Sequence, residues 1–259
     1  MKVERKCKIV QKEWLNEDAV YMVLEVGDMV RSSCKGPGQF VHIKCGEGLL
    51  LRRPISVCAC MMDEPEDTLA IAFEVRGEGT EWLAAREEGE YLDVLGMLGH
   101  GFQVNPAGRY LLVGGGIGVP PLRGCAQVTM GNSTAILGFR NKGKAILVDR
   151  FCDECAELQV ATDDGSLGYH GFVDALVRET LKKDAAFDAV LACGPKPMLR
   201  SVVKAAAEYG IPCQVSMEER MGCGVGACLV CACDMADGTR KHVCKNGPVF
   251  MAEEVDWDA

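Results

Sequence analysis

LLVGGGIGVPPL, Leu111 to Leu122, is the stretch that decides the fold. An apolar run from Tyr110 to Val113, enough for a buried strand, meets a cluster of glycines and then two prolines that suit the first turn of a helix. Gly114, Gly116, Gly118 and Pro121 give G-x-G-x-G-x-x-P, with Gly115 between the first two. This is not the Rossmann G-x-G-x-x-G, but the physics is shared: positions without side chains at a strand-to-helix turn let backbone come close to a dinucleotide. Taken alone, the same residues also suit a tight turn with no ligand.

Downstream, STAILGF (133–139), ELQVATDD (157–164) and DAVLACG (188–194) read as buried strands separated by helical segments, which predicts a parallel α/β sheet. Lys196 to Glu208 has the helical period, with Met198, Val202, Ala205, Ala206 and Tyr209 on one face and Gly210 and Pro212 as stop signals. The glycine turn, ATDDGSLG and CGPKPM, with Cys193, Gly194 and Pro195, should converge on the sheet edge where open α/β folds bind ligands.

Upstream the rhythm is different. AVYMVLEVG (19–27), GQFVHIKCG (38–46) and TLAIAFEVRG (68–77) alternate with period two between glycine and acidic turns, which predicts a small antiparallel β-barrel. In LLRRPISVC, Arg53, Pro54, Ile55 and Ser56 place a guanidinium and a hydroxyl where they can grip a pyrophosphate. About twenty residues later, Gly79 and Thr80 of FEVRGEGTEWL precede a helical stretch whose first amides suit a phosphate.

The tail carries the most specific pattern. Cys223, Cys228 and Cys231 in MGCGVGACLVC have the spacing C-x4-C-x2-C, and Cys244 follows after twelve intervening residues. Three thiolates on a tight loop plus a distant fourth match a plant-type 2Fe-2S site, and the small residues Gly222, Gly224, Gly226 and Ala227 let the loop fold closely around it. The alternative is a zinc-stabilised binding module, although zinc folds usually pair two C-x2-C knuckles. Cys233 breaks the spacing, and the Cys152/Cys155 pair has no second pair beside it, so both read as bystanders. The expected units are 1–103 (barrel), 104–212 (parallel sheet) and 213–259 (cysteine tail).

With 28 basic and 37 acidic residues the net charge is −9, against a nucleic-acid or anionic-membrane partner. The opening MKVERKCKIVQKEW lacks an apolar signal region and no run approaches about 18 apolar residues, so a cytoplasmic chain with reduced thiols is expected. His42, His100, His170 and His242 show no ligand-like spacing and read as structural or surface residues.

In order, arginine-proline-x-serine at 53–56, G-x-G-T at 77–80, the glycine turn and cysteine-glycine-proline at 193–195 resemble the ferredoxin-NADP reductase superfamily. With SMEERMGCGVGACLVCAC (216–233) and VCKNGPVF (243–250) added, nearly the whole chain is similar to the electron-transfer subunits of class 1B dihydroorotate dehydrogenase. That resemblance implies an FAD barrel, an NAD domain and a 2Fe-2S domain. It implies an FMN-containing catalytic subunit as partner, in a heterotetramer of two of each, serving pyrimidine biosynthesis. Electrons would pass from NADH through FAD and the cluster to the partner's FMN.

Carried over by motif, Arg53 to Ser56 would hold the flavin ribityl and pyrophosphate, and Gly79 and Thr80 the phosphates. Ala72, Phe73 and Glu74 would lie along the flavin or its adenine; the family has an aromatic and a basic residue there, so Glu74 departs. GMLGHGF (96–102) resembles a G-P-L-G-x-G-F stretch near the FAD, with Met97 in the proline's place. Cys193 would sit near the nicotinamide, or be a buried structural thiol. The nearest rival is the same module serving a hydrogenase or a bifurcating ferredoxin-NADP oxidoreductase; a bifurcating relative has aspartate at the first ligand position, where this chain has Cys223. NADH is favoured over NADPH by the lack of an arginine cluster, with Arg140 after STAILGF as the residue pointing the other way.

Overall fold

The computed structural model describes residues 3–62 and 66–258. Its first half is a closed six-stranded antiparallel barrel: β1 (Val3–Trp14), β2 (Ala19–Gly27), β3 (Phe40–Lys44), β4 (Arg53–Met61), β5 (Asp67–Glu74) and β6 (Tyr91–Leu98), in the order β1-β2-β5-β4-β3-β6. Alternation explains the barrel: Val20, Met22 and Leu24 of β2 point inward with Val41, Ile43, Ile71 and Phe73. The other face of β2, Ala19, Tyr21 and Val23, packs outward against the second half of the molecule, so the strand reads as almost continuously apolar. Two short helices, α1 (Met29–Ser33) and α2 (Glu78–Ala84), plug the barrel ends with Met29, Val30 and Leu83.

The second half is a sheet of β7 (Tyr110–Gly115), β8 (Thr134–Phe139), β9 (Glu157–Thr162), β10 (Tyr169–His170), β11 (Ala189–Cys193) and β12 (Cys213–Ser216), all parallel. Helices α3 (Pro120–Thr129), α4 (Val148–Glu154), α5 (Val173–Lys183) and α6 (Lys196–Glu208) cover it. The expected helix after Cys193 has the expected limits, with Leu199, Val202, Ala205 and Ala206 buried; Met198 and Tyr209 only flank that core. The strand order β10-β9-β8-β7-β11-β12 reverses between β7 and β11, the kind of switch point at whose carboxyl ends open α/β sheets bind ligands.

The tail is less separate than composition suggested. β12 lies beyond residue 212, and β15 (Val249–Met251) pairs antiparallel with it as the seventh strand. The rest of the tail adds a hairpin of β13 (Ala232–Asp234) and β14 (Arg240–His242) and a single turn, α7 (Val243–Asn246). A stretch of some forty residues cannot enclose its own core. Cys231, Val243, Cys244 and Phe250 therefore share one apolar cluster with Phe40 and Leu98 of the barrel and Val113 and Ile136 of the sheet.

The connector after β6 holds these parts in register. His100 N–H donates to the Gly247 carbonyl at 2.7 Å, and Phe102 N–H donates to the Pro37 carbonyl at 2.7 Å. Gly99 has φ +73°, and a Cβ there would meet the Gly247 oxygen at 2.6 Å and the Pro248 ring at 2.7 Å. Gly99→Ala should therefore lower stability by at least about 1–2 kcal/mol from backbone handedness alone. Hydrogen exchange should show lost protection in 243–251, and unchanged protection there would contradict this account of the junction.

Candidate functional site

Three groups of residues picked out in the sequence come to face one another. On β4, Ile55 and Val57 fill the barrel, which leaves Pro54 exposed and Ser56 half-buried on the outer face. Arg53, at the start of that strand, reaches across to α2, so that a Cβ on Gly79 would collide with its guanidinium. Arg53 and Gly79, 26 positions apart by number, are thus direct neighbours. The Thr80 hydroxyl is engaged locally: it accepts from Arg76 N–H at 2.8 Å and Gly77 N–H at 3.2 Å. This bracing fixes the loop ahead of α2.

On β5 the side chains of Phe73 and Glu74 are both engaged within the protein. Phe73 is 2% exposed and its ring belongs to the barrel interior, so it offers a ligand backbone and no aromatic face. Glu74, which departs from the resembled pattern, is held by Arg76 through a 2.6 Å bond from Nε. Met97 N–H donates to Ser33 Oγ at 3.2 Å, a bond that proline at this position could not make.

At the crevice, Gly118 packs on the neighbouring loop: a Cβ there would lie 2.5 Å from the Cys193 carbonyl oxygen and 2.7 Å from Gly194 Cα. A Cβ on Gly115 would collide with Met198, whereas Gly116, at φ +54°, has open space before it. Gly116 is therefore the turn's free approach for a ligand, while Gly115 and Gly118 close the β7 and β11 loops together. Pro120 and Pro121 occupy the first two positions of α3, and Leu122 N–H bonds to the Val119 carbonyl at 3.1 Å. The helix start thus offers few amides, unlike a Rossmann turn, and leaves the loop backbone as the face open to a ligand. The 163–168 loop ends on the same edge two strands away, tied to the β8 loop by Lys142 N–H donating to Ser166 Oγ at 2.8 Å. Burial pushes the Cys193 thiol up to about 12, so it stays protonated and is no nucleophile at neutral pH. Arg140 is exposed at the end of β8.

The four tail cysteines form two pairs. Cys223 N–H donates to Cys228 Sγ at 3.4 Å, and Cys244 N–H donates to Cys231 Sγ at 3.5 Å. Cys223 Sγ also accepts from Val225, Ala227 and Cys228 N–H groups at 3.4, 3.2 and 3.4 Å. Burial pushes its thiol up, but these donors outweigh burial and bring it down to about 6. Cys244 is pushed up to about 12, by burial first and then by its bond with Cys231. Among the described residues no three His, Cys, Asp or Glu side chains gather around a single ion position. Two cysteine pairs, with amides aimed at sulfur, fit a two-iron rhomb in which each iron would take one pair as thiolates.

His42, which by its spacing reads as a structural or surface residue, lies at this site. It is fully buried, neither ring nitrogen has a partner, and it lies against Gly224 of the cysteine loop. Burial, with Arg52 nearby, pushes it down to about 4. A strand of apparently routine alternation gives no signal of this, because the partner loop is some 180 residues away.

A barrel that presents Arg53 to Ser56, a nucleotide crevice and a paired-thiol loop define a reductase of the ferredoxin-reductase fold with an added iron-sulfur domain. Residues 218–256 match the iron-sulfur cluster binding domain of dihydroorotate dehydrogenase B. The chain is 40% identical to the dihydroorotate dehydrogenase B (NAD(+)) electron transfer subunit of Bacillus velezensis, covering 92% of this chain and 93% of that one. It is 44% identical to the same subunit of Geobacillus thermodenitrificans, covering 85% and 86%. The chain belongs to this family of electron transfer subunits. Among solved structures, the NADH-dependent reduced ferredoxin-NADP oxidoreductase studied for flavin-based electron bifurcation is 33% identical, with TM-score 0.85 over 97% of this chain and 90% of that chain. The ferredoxin reductase of carbazole 1,9a-dioxygenase, 21% identical with TM-score 0.68 over 82% and 67%, shares the fold.

Because Gly118 is enclosed by backbone and Gly116 is open, substitutions at the two should separate. Gly118→Ala should destabilise the protein by about 1–3 kcal/mol through overpacking. Gly116→Asn, in a left-handed position asparagine tolerates, should cost little stability while weakening nucleotide binding. Equal melting temperatures for the two variants would refute the distinction.

Proposed function

We propose that this chain takes electrons from NADH at the β7–β11 crevice, holds FAD against the barrel and a 2Fe-2S cluster in the tail, and delivers electrons to the FMN of a dihydroorotate dehydrogenase catalytic subunit in the cytoplasm. The reaction serves pyrimidine biosynthesis, in a heterotetramer of two chains of each kind. The observation that carries this reading is the pairing of Cys223 with Cys228 and Cys231 with Cys244, on a loop lying against the barrel's β3.

FAD, when bound, accepts electrons from NADH as a pair and releases them singly, the unit that a 2Fe-2S cluster carries. This chain's residues bind and orient. Arg53 and Ser56 hold the flavin ribityl and pyrophosphate, with Pro54 and Ile55 setting the strand edge. Gly79 and Thr80 shape the phosphate loop, and Ala72 to Glu74 supply backbone along the flavin. Gly114, Gly115, Gly116, Gly118 and Pro121 form the floor for NADH opposite Cys193, Gly194 and Pro195. Cys223, Cys228, Cys231 and Cys244 ligate the cluster. No side chain needs to move a proton. By function the units are the barrel to residue 103, the NAD domain extended through β12 to Ser216, and the cluster tail beyond it.

Leu229 and Val230, beside the exposed Cys228, are 59% and 57% exposed. Two apolar side chains in solvent next to a cluster ligand mark the face that docks the catalytic subunit. Leu229→Glu should abolish co-purification with that subunit and leave the cluster's EPR signal intact; retained association would show that docking lies elsewhere.

Cys228→Ser should abolish the EPR signal and partner reduction while NADH still bleaches the flavin. Loss of flavin bleaching would contradict the order of carriers. Co-purification with the untagged partner followed by an NADH-to-orotate assay tests the substrate, and recovery of a different flavoenzyme would favour the same module serving another redox chain.

A further inference from the structure

We propose that His42 is a positioning residue between the flavin cradle and the cluster, its imidazole N–H donating a hydrogen bond to a cluster sulfur. This rests on the reading that the four tail cysteines hold a 2Fe-2S cluster. In the β3/β4 register His42 lies opposite Pro54 and Phe40 lies opposite Ser56. Directly opposed residues share a face. His42 and Phe40 therefore continue the row of outward-facing positions to which the flavin residues Pro54 and Ser56 belong.

From the other side the cluster loop closes onto the same ring. Gly224 adjoins Cys223 and has φ +69°; a Cβ there would lie 2.7 Å from Cε1, 2.8 Å from Nε2 and 2.9 Å from Nδ1 of His42. The imidazole thus fills the space that a side chain at 224 would need, and the loop is shaped around it.

The ring is 0% exposed, yet Nδ1 and Nε2 both lack a hydrogen-bond partner. Buried polar groups are nearly always paired, and each unmet one costs about 1–3 kcal/mol. A neutral imidazole brings one donor and one acceptor. Cluster sulfides and thiolates are acceptors only, so they satisfy the donor. An N–H bond to cluster sulfur favours the more negative reduced state and raises the reduction potential.

The test uses the holo complex purified without oxygen, with 15N-labelled histidine and variants His42→Phe and His42→Gln. In unaltered protein, pulsed EPR of the reduced cluster should show a 15N coupling that disappears in both variants. In His42→Phe the cluster should become harder to reduce by about tenfold in the one-electron equilibrium, or about 59 mV. His42→Gln, which keeps an N–H donor, should recover part of that shift. An unchanged potential in His42→Phe with the 15N coupling still present overturns the proposal. If His42→Phe does not accumulate, persistence of the coupling in His42→Gln overturns it equally. Absence of any iron-sulfur EPR signal in unaltered protein would remove the cluster reading and the proposal together, a result distinct from either of these.

Discussion

The pairing of residues 98–100 with 247–249 is the constraint on which the rest of the molecule depends. His100 and Gly247 exchange no side-chain chemistry, yet their 2.7 Å backbone bond ties the end of the barrel to the start of the sheet's last strand. The buried Gln39 amide donates to the Leu98 and Gly99 carbonyls at 3.4 and 3.1 Å, and Met217 N–H donates to the Pro248 carbonyl at 2.9 Å. One extended segment is thereby held from the barrel, the sheet and the tail at once. Electron transfer between cofactors falls off steeply with distance, so a fixed junction serves this function better than three domains on flexible linkers.

The same logic explains why the tail accepts so many glycines. Each costs about 0.5–1 kcal/mol relative to alanine in conformational freedom. The cysteine loop nevertheless needs them at Gly224 and Gly226, where φ is +69° and +83° and a Cβ would strike His42 or Lys245. The tail offsets the cost by joining the large core through Val243, Phe250 and Val255, and metal binding adds folding free energy when the thiolates are ligated.

Much of this was legible in the chain. Period-two alternation identified the barrel, the apolar run from Tyr110 with its glycine turn identified the parallel sheet, and the spacing of the four cysteines singled them out together. What escaped depends on contacts between residues distant in sequence. Phe73 turns into the barrel, and alternation alone does not say which face of a closed barrel a strand turns inward. β12 and β15 join the sheet across the composition shift near residue 212, because strand pairing leaves no mark in composition. His42 looked ordinary because its significance lies in a loop that arrives from residue 224 and leaves its nitrogens unpaired.

The two cysteine pairs sit in unlike surroundings. Cys231 and Cys244 are each 2% exposed and embedded among apolar side chains, where added negative charge is poorly solvated. Cys223 and Cys228 lie nearer solvent, and Cys223 accepts three backbone N–H groups. Charge added to the site is better stabilised at the Cys223/Cys228 end by both hydrogen bonding and dielectric. That end carries Leu229 and Val230 on its outer side and rests on His42 through Gly224 on its inner side. The better-stabilised end therefore lies between the barrel and this exposed apolar surface.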